Sequence, residues 1–173
     1  KPQNIAIGKS GGAILIDYGL ANNRGKVDDG GDSCELGFVV GTPTYIDPII
    51  HVSGNYDHSD VFQLSLVLYE GISGIRPFNH AAIDWSSAMK LMVKNLKDKN
   101  YPKLSTLISA DKELIKGVNK LFSIAFNYHP RKRYTSIDEF TTALFELRQK
   151  HVLPFTEQLQ PLFKMYGGTV SVE

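Results

Sequence analysis

The chain has 173 residues, the length of one ordinary domain, and its 42% hydrophobic and 21% charged residues describe a globular chain. Nineteen Lys and Arg against 18 Asp and Glu leave a net charge of +1, so the basic excess of a general nucleic-acid or membrane-surface binder is missing. No apolar run approaches the ~20 residues that cross a bilayer. The single cysteine, Cys34, excludes an internal disulfide framework and a Cys-based structural zinc site, and suits a reducing compartment. The chain opens Lys1-Pro2-Gln3-Asn4, with neither Met nor a charged-then-apolar leader, and so reads as a piece of something longer.

Ile5-Ala6-Ile7, a Gly-rich turn at residues 8–12 and Ala13-Ile14-Leu15-Ile16 predict a hairpin with buried faces. Residues 20–40 carry four glycines among polar residues and no apolar period, which predicts a long loop. In the 41–48 segment Pro43 and Pro48 oppose regular structure. From Ser59 or Asp60, either of which would cap a helix, apolar residues cover every face of the stretch to about 71, so that helix needs neighbours all round. An amphipathic helix is expected over 84–96, with Trp85, Ala88, Met89, Met92, Val93 and Leu96 on its apolar face. Another is expected over about 111–126, through Leu114, Val118, Leu121, Phe122 and Ala125. Ser136 with Glu139 has the spacing of a capping box and opens a helix carrying Ile137, Phe140, Leu144 and Leu147. Beyond His151, the residues Phe155, Leu159, Leu162, Phe163 and Tyr166 keep helical spacing across Pro161.

Chemistry concentrates at the hairpin base. Asn4 precedes the hairpin and Asp17-Tyr18-Gly19 follows it. Two hard oxygen ligands there suit Mg²⁺, which takes one or two protein ligands plus water and phosphate oxygens. The plainer alternative is that Asn4 caps one turn and Asp17 starts another.

The order of motifs favours the first reading. Lys1-Pro2-Gln3-Asn4 resembles the end of the protein-kinase catalytic loop, H-R-D-L-K-P-x-N, and Asp17-Tyr18-Gly19 resembles Asp-Phe-Gly. The segment from Gly41 to Pro48 resembles G-T-P-x-Y-x-A-P-E. Ser59-Asp60-Val61-Phe62 through Leu68-Tyr69-Glu70 resembles the S-D-V-Y-S-L-G-x-x-L-Y-E helix, and Pro130 to Thr135 resembles P-x-x-R-x-T/S. Residues 1–150 are thus similar to the later part of the C-lobe of eukaryotic-type Ser/Thr protein kinases. The resemblance implies a mainly α fold, a helical bundle with one small β-hairpin at its N-terminal end. The N-lobe and the first C-lobe helices would come from the same parent chain or in trans. Residues 17–48 would be the activation segment, and 151–173 an extension packed on the lobe or on a partner.

The same resemblance implies site roles. Asn4 and Asp17 would hold Mg²⁺ or Mn²⁺, with Asp17 bridging metal to the phosphates of ATP. Lys1 would meet the transferred phosphoryl group, and Lys1 with Thr42 points to Ser/Thr substrates. Ala6 and Ile16 would line the nucleotide site. Asp60 would be a buried acid accepting N–H groups from the catalytic loop. Glu70 would face basic substrate residues or serve the fold. Ser33 would be a regulatory phosphosite or an unmodified loop serine. The implied partners are ATP and a protein substrate, without nucleic acid or membrane, in the cytoplasm (a host cytosol for a pathogen effector). A pseudokinase scaffold is the alternative function.

Four departures from the family pattern stand out: Ala6 for a larger apolar residue, Tyr18 for Phe, Ser65 for Gly, and Ile49 for the Glu of Ala-Pro-Glu. That Glu pairs, in the family, with the arginine matched by Arg133. A buried arginine without a carboxylate is costly. Arg133 is therefore expected on another acid, Asp47 being the nearest substitute in sequence for the missing Glu, on backbone carbonyls, or exposed.

Overall fold

The computed structural model describes residues 1–9, 12–17, 43–53, 58–78, 84–108 and 110–151. The expectations for Tyr18, the 20–40 loop with Ser33 and Cys34, Thr42 and the 152–173 extension lie outside those residues. The fold is mainly helical with one small ribbon, as expected. A 3-10 turn at Pro2–Asn4 leads into strands β1 (Ile5–Ile7) and β2 (Ala13–Leu15), paired antiparallel with Ala6 opposite Ile14. Helices α1 (Pro48–Ser53), α2 (Ser59–Ser73), α3 (Trp85–Lys97), α4 (Lys112–Ala125) and α5 (Ile137–His151) follow.

Local chemistry sets most helix ends. Asp84 caps α3 by accepting from the Ser87 amide at 2.8 Å, and Asp111 caps α4 by accepting from the Leu114 amide at 2.9 Å. α2 stops at Gly74, whose φ of 73° needs a residue without a Cβ and whose N–H returns to the Glu70 carbonyl. The capping box at α5 is displaced by one residue. Ser136 Oγ accepts from the Glu139 amide as expected, but the Glu139 carboxylate reaches past it to the amide and hydroxyl of Thr135. Those bonds hold the Glu139 carboxyl below its ordinary range.

The core gathers around Phe126, just past the end of α4. Phe62, Tyr69, Phe78, Tyr101 and Phe122 all have ring centroids within 6.1 Å of its own. Phe62 and Tyr69 come from α2, and Met92 and Leu96 of α3 and Phe140 of α5 close the same core. Tyr69 is fully buried, and its hydroxyl donates to the Pro102 carbonyl. Ser65, which stands where the family has Gly, is also buried and donates to the Val61 carbonyl one turn back, so its hydroxyl is satisfied.

Arg133 and Asp47 tie these elements together. Both side chains are fully buried. Arg133 Nη1 donates to Asp47 Oδ2 and Nη2 to Oδ1, while Nε donates to the Asn127 carbonyl. Ser59 Oγ donates to Oδ2 at 3.1 Å and the Ile49 amide to Oδ1 at 3.0 Å. Each carboxylate oxygen thus receives two donors, which fills its acceptor capacity. The guanidinium also sits 4.7 Å over the Phe62 ring. Of the expected outcomes for Arg133, both the Asp47 pairing and a backbone carbonyl partner are realised, and exposure is not. Ile49 itself is buried at 5% exposure, so the carboxylate has moved two residues back and an apolar side chain fills its place.

Four expectations need correction. The hairpin faces are not buried: Ile7, Ile14, Leu15 and Ile16 are 68, 58, 59 and 45% exposed, because among the described residues no third layer covers the two-stranded ribbon. Neither Pro43 nor Pro48 prevents regular structure: Pro43 opens a 3-10 turn, Pro43–Tyr45, and Pro48 occupies the first position of α1, where its missing N–H costs nothing. Neither Ser59 nor Asp60 caps α2: the cap position is His58 at φ 60°, without a side-chain cap bond, and Ser59 serves Asp47 instead. The burial expected on every face of α2 is not reached on one side among the described residues. Asp60, Leu64, Val67 and Gly71 share one face, with Leu64 and Val67 half-buried and the other two exposed.

Two predictions follow from these contacts. Asp47→Ala leaves Arg133 buried without its counter-charge and should cost about 3–5 kcal/mol in denaturant unfolding; wild-type stability would contradict the pairing. Burial pushes the Tyr69 hydroxyl up to about 12 from 10.0. The folded chain therefore keeps a proton that the unfolded chain releases, and stability falls as pH rises from about 10 to 12. Tyr69→Phe should flatten that fall in unfolding measured across this range, and an unchanged slope would count against it.

Candidate nucleotide and metal site

The 3-10 turn before β1 closes with the Asn4 amide donating to the Lys1 carbonyl at 3.0 Å. The Asn4 carbonyl then accepts from the Ile16 amide at 2.8 Å, extending the ribbon by one pair beyond Ile5–Leu15. This bond brings the two ends of the hairpin together, so Asp17 follows directly on the residue paired with Asn4. Asp17 has φ 65°, in the left-handed region. Asp tolerates that region better than most residues, yet it is uncommon there, and such positions cluster at functional sites. Its side chain is exposed, while Asn4 is half-buried.

The donor set fits a hard divalent cation. Asn4 offers an amide oxygen and Asp17 a carboxylate, the one or two protein ligands that Mg²⁺ takes when phosphate and water supply the rest. Among the described residues no three His, Cys, Asp or Glu side chains gather to cage a metal by themselves. Lys1 is exposed at the start of the same turn. Ala6 is half-buried in β1 and Ile16 is half-exposed beyond β2, so both belong to the ribbon that carries Asn4 and Asp17.

The remaining expected residues lie apart from that pair. Glu70, in the last part of α2, is half-buried and accepts from the Tyr45 hydroxyl at 2.5 Å. Burial and that carboxylate push the Tyr45 hydroxyl up to about 12. Asp60 is exposed rather than buried. Its side chain has no hydrogen bond among the described residues, so the expected bonds from catalytic-loop amides are not seen there. Thr44, one residue before Tyr45, has a buried hydroxyl without a hydrogen-bond partner among the described residues. The Tyr45–Glu70 link had no local sequence signal, since 25 residues separate the pair. Asp47 did have one, in the missing Glu at position 49.

Comparison with known proteins bears on this arrangement. A family model for the protein kinase domain matches residues 1–145. The chain is 30% identical over 162 residues to serine/threonine-protein kinase PknA of Mycobacterium tuberculosis, covering 93% of this chain and 34% of that protein. It is 28% identical over 149 residues to serine/threonine-protein kinase pkn3 of Myxococcus xanthus, covering 83% of this chain and 26% of the relative. Over 119 residues it is 31% identical to serine/threonine-protein kinase fused of Drosophila melanogaster, with 68% of this chain and 13% of that protein covered. The chain spans about a third or less of the length of these relatives. With the family's motifs in order and its domain model matched over most of the sequence, the chain belongs to the protein kinase family, as a divergent member.

Proposed function

We propose that the protein carrying this chain transfers the γ-phosphoryl group of ATP to Ser or Thr hydroxyls of protein substrates. The phosphorus–oxygen bond to ADP breaks, an ester bond to the substrate oxygen forms, and the hydroxyl proton is released. The observation that carries this reading is the joining of Asn4 to Asp17 through the Asn4–Ile16 bond, with Asp17 held in left-handed backbone. Asn4 and Asp17 would hold Mg²⁺ or Mn²⁺, which when bound supplies charge neutralisation on the phosphates. Lys1, on the adjoining turn, would place its ammonium against the transferred group. Ala6 and Ile16 would contact the nucleotide, and Thr42 would orient the substrate hydroxyl. One oxygen of Glu70 is taken by Tyr45, and the other would receive a basic substrate residue.

The names of the similar proteins support the Ser/Thr assignment. The exposed ribbon and the open side of α2 support the view that other parts of the protein, an N-lobe and earlier helices, cover these surfaces. No described helix is long and apolar enough to cross a membrane. A cytoplasmic location is proposed because the co-substrate is ATP.

In the full-length protein, Asp17→Ala should lower kcat by about 10²–10³-fold or more, in line with loss of a single charge-stabilising group. The assay follows Mg²⁺-dependent phosphate transfer to a Ser/Thr peptide. Undiminished turnover in Asp17→Ala would refute the assignment. A wild-type protein that binds partners but shows no turnover would support the pseudokinase scaffold instead.

A further inference from the structure

A cleft of about 440 Å³ opens where α3 and α4 end, away in sequence from the hairpin site. Its floor is apolar, from Leu96 and Phe126, both buried. Its walls carry Lys97, Lys99, Lys132 and His129, with Tyr101 and Tyr128 between them. Among the described residues no carboxylate lines it. Asp98, the C-cap of α3, is exposed and makes no ion pair among the described residues. Lys97 is not a free tether: its ammonium lies 4.8 Å above the Tyr128 ring, which holds it over the cleft.

Cations beside helix C-termini have an ordinary explanation, because they offset the negative end of the helix dipole. Magnitude separates that explanation from a binding role. Each C-terminus presents about half a negative charge, so two of them account for about one cation. Three lysines are present, and Lys132 comes from the separate 3-10 turn Pro130–Lys132. With the carboxylate of Asp98 between Lys97 and Lys99 counted as well, about one positive charge remains, in a chain whose total is only +1. The type of cation also matters. A planar carboxylate is matched by the fork of an arginine, and the cleft has none. Ammonium point charges on three lysines that line one cleft suit a compact, multiply charged phosphate. The volume exceeds what a bare ion fills and lies in the range of small-ligand sites, about 300–1,000 Å³. Two tyrosine rings and an apolar floor give an organic body a surface to rest on.

We propose that this cleft binds a phosphoserine or phosphothreonine side chain of a protein segment, the phosphate held by Lys97, Lys99 and Lys132 and the peptide laid along Tyr101 and Tyr128. The choice of a peptide as bearer rests on the proposed function, whose product is a phosphoprotein. The cleft would then let the protein engage a protein substrate already phosphorylated at one position.

The test is a binding titration of the full-length protein with a fluorescent phosphoserine peptide and its unphosphorylated twin, with AMP and inorganic phosphate as competitors. The phosphopeptide should bind about tenfold or more tightly than its twin and weaken as salt rises. Lys99→Gln with Lys132→Gln, both exposed side chains, should erase most of that preference while circular dichroism stays unchanged. Lys116→Gln, outside the cleft and paired with Glu113, should not. Equal binding of the two peptides, or an undiminished preference in the double variant, overturns the proposal. AMP or inorganic phosphate competing as well as the phosphopeptide also overturns it, in favour of a small-anion site. Because the readout is binding, loss of kinase turnover with this preference intact would count against the proposed function alone.

Discussion

The buried Asp47–Arg133 pair is the contact on which the rest of the structure depends. It joins residues 86 apart in sequence and draws four separate parts of the chain to one point. Asp47 precedes α1, Ser59 begins α2, Asn127 follows α4, and Arg133 follows the last 3-10 turn before α5. Taking two charges out of water costs several kcal/mol each, and a pair in isolation barely recovers that. Here the carboxylate takes four hydrogen bonds and the guanidinium adds a backbone carbonyl and a ring face. The pair therefore acts less as a source of stability than as a specification: only one placement of these elements leaves neither charge unsatisfied.

That specification shows how a divergent sequence keeps an inherited arrangement. The family places its carboxylate at the position of Ile49, and this chain places it at Asp47. A short helix beginning at Pro48 allows the exchange, since its start turns the Asp47 side chain back onto the Ile49 amide and leaves Ile49 facing inward. The neighbouring Tyr45 anchors the same segment to Glu70 of α2, so the residues that follow Thr42 are fixed at two points.

What could be read in advance follows the range of the interaction concerned. Helical periodicity located α3, α4 and α5 within a residue or two, because apolar stripes are local signals, while the caps at Asp84 and Asp111 are seen only in the structure. Motif order singled out Asn4 and Asp17 as a candidate pair, and the missing Glu at 49 led to Asp47. Contacts between distant residues were not readable: the Tyr45–Glu70 bond, the left-handed His58 that frees Ser59 for Asp47, and the convergence of three lysines on one cleft. The hairpin failed for another reason. Alternating or continuous apolar residues state that a face wants burial, but not which part of a protein supplies the cover, and Ile7, Ile14 and Leu15 remain exposed among the residues described here.

The ribbon's role is geometric. One backbone bond, from the Ile16 amide to the Asn4 carbonyl, brings Asn4 beside the residue that precedes Asp17, although 13 positions separate Asn4 from Asp17. If that pair is a metal site, it should be visible without any chemistry taking place. Mn²⁺ bound to the full-length protein with a non-hydrolysable ATP analogue can be titrated by electron paramagnetic resonance, comparing wild type with Asp17→Ala and Asn4→Ala. The account predicts a protein-bound Mn²⁺–nucleotide signal in the wild type, weakened at least about tenfold by either substitution. Retention of the full signal in both variants would contradict it.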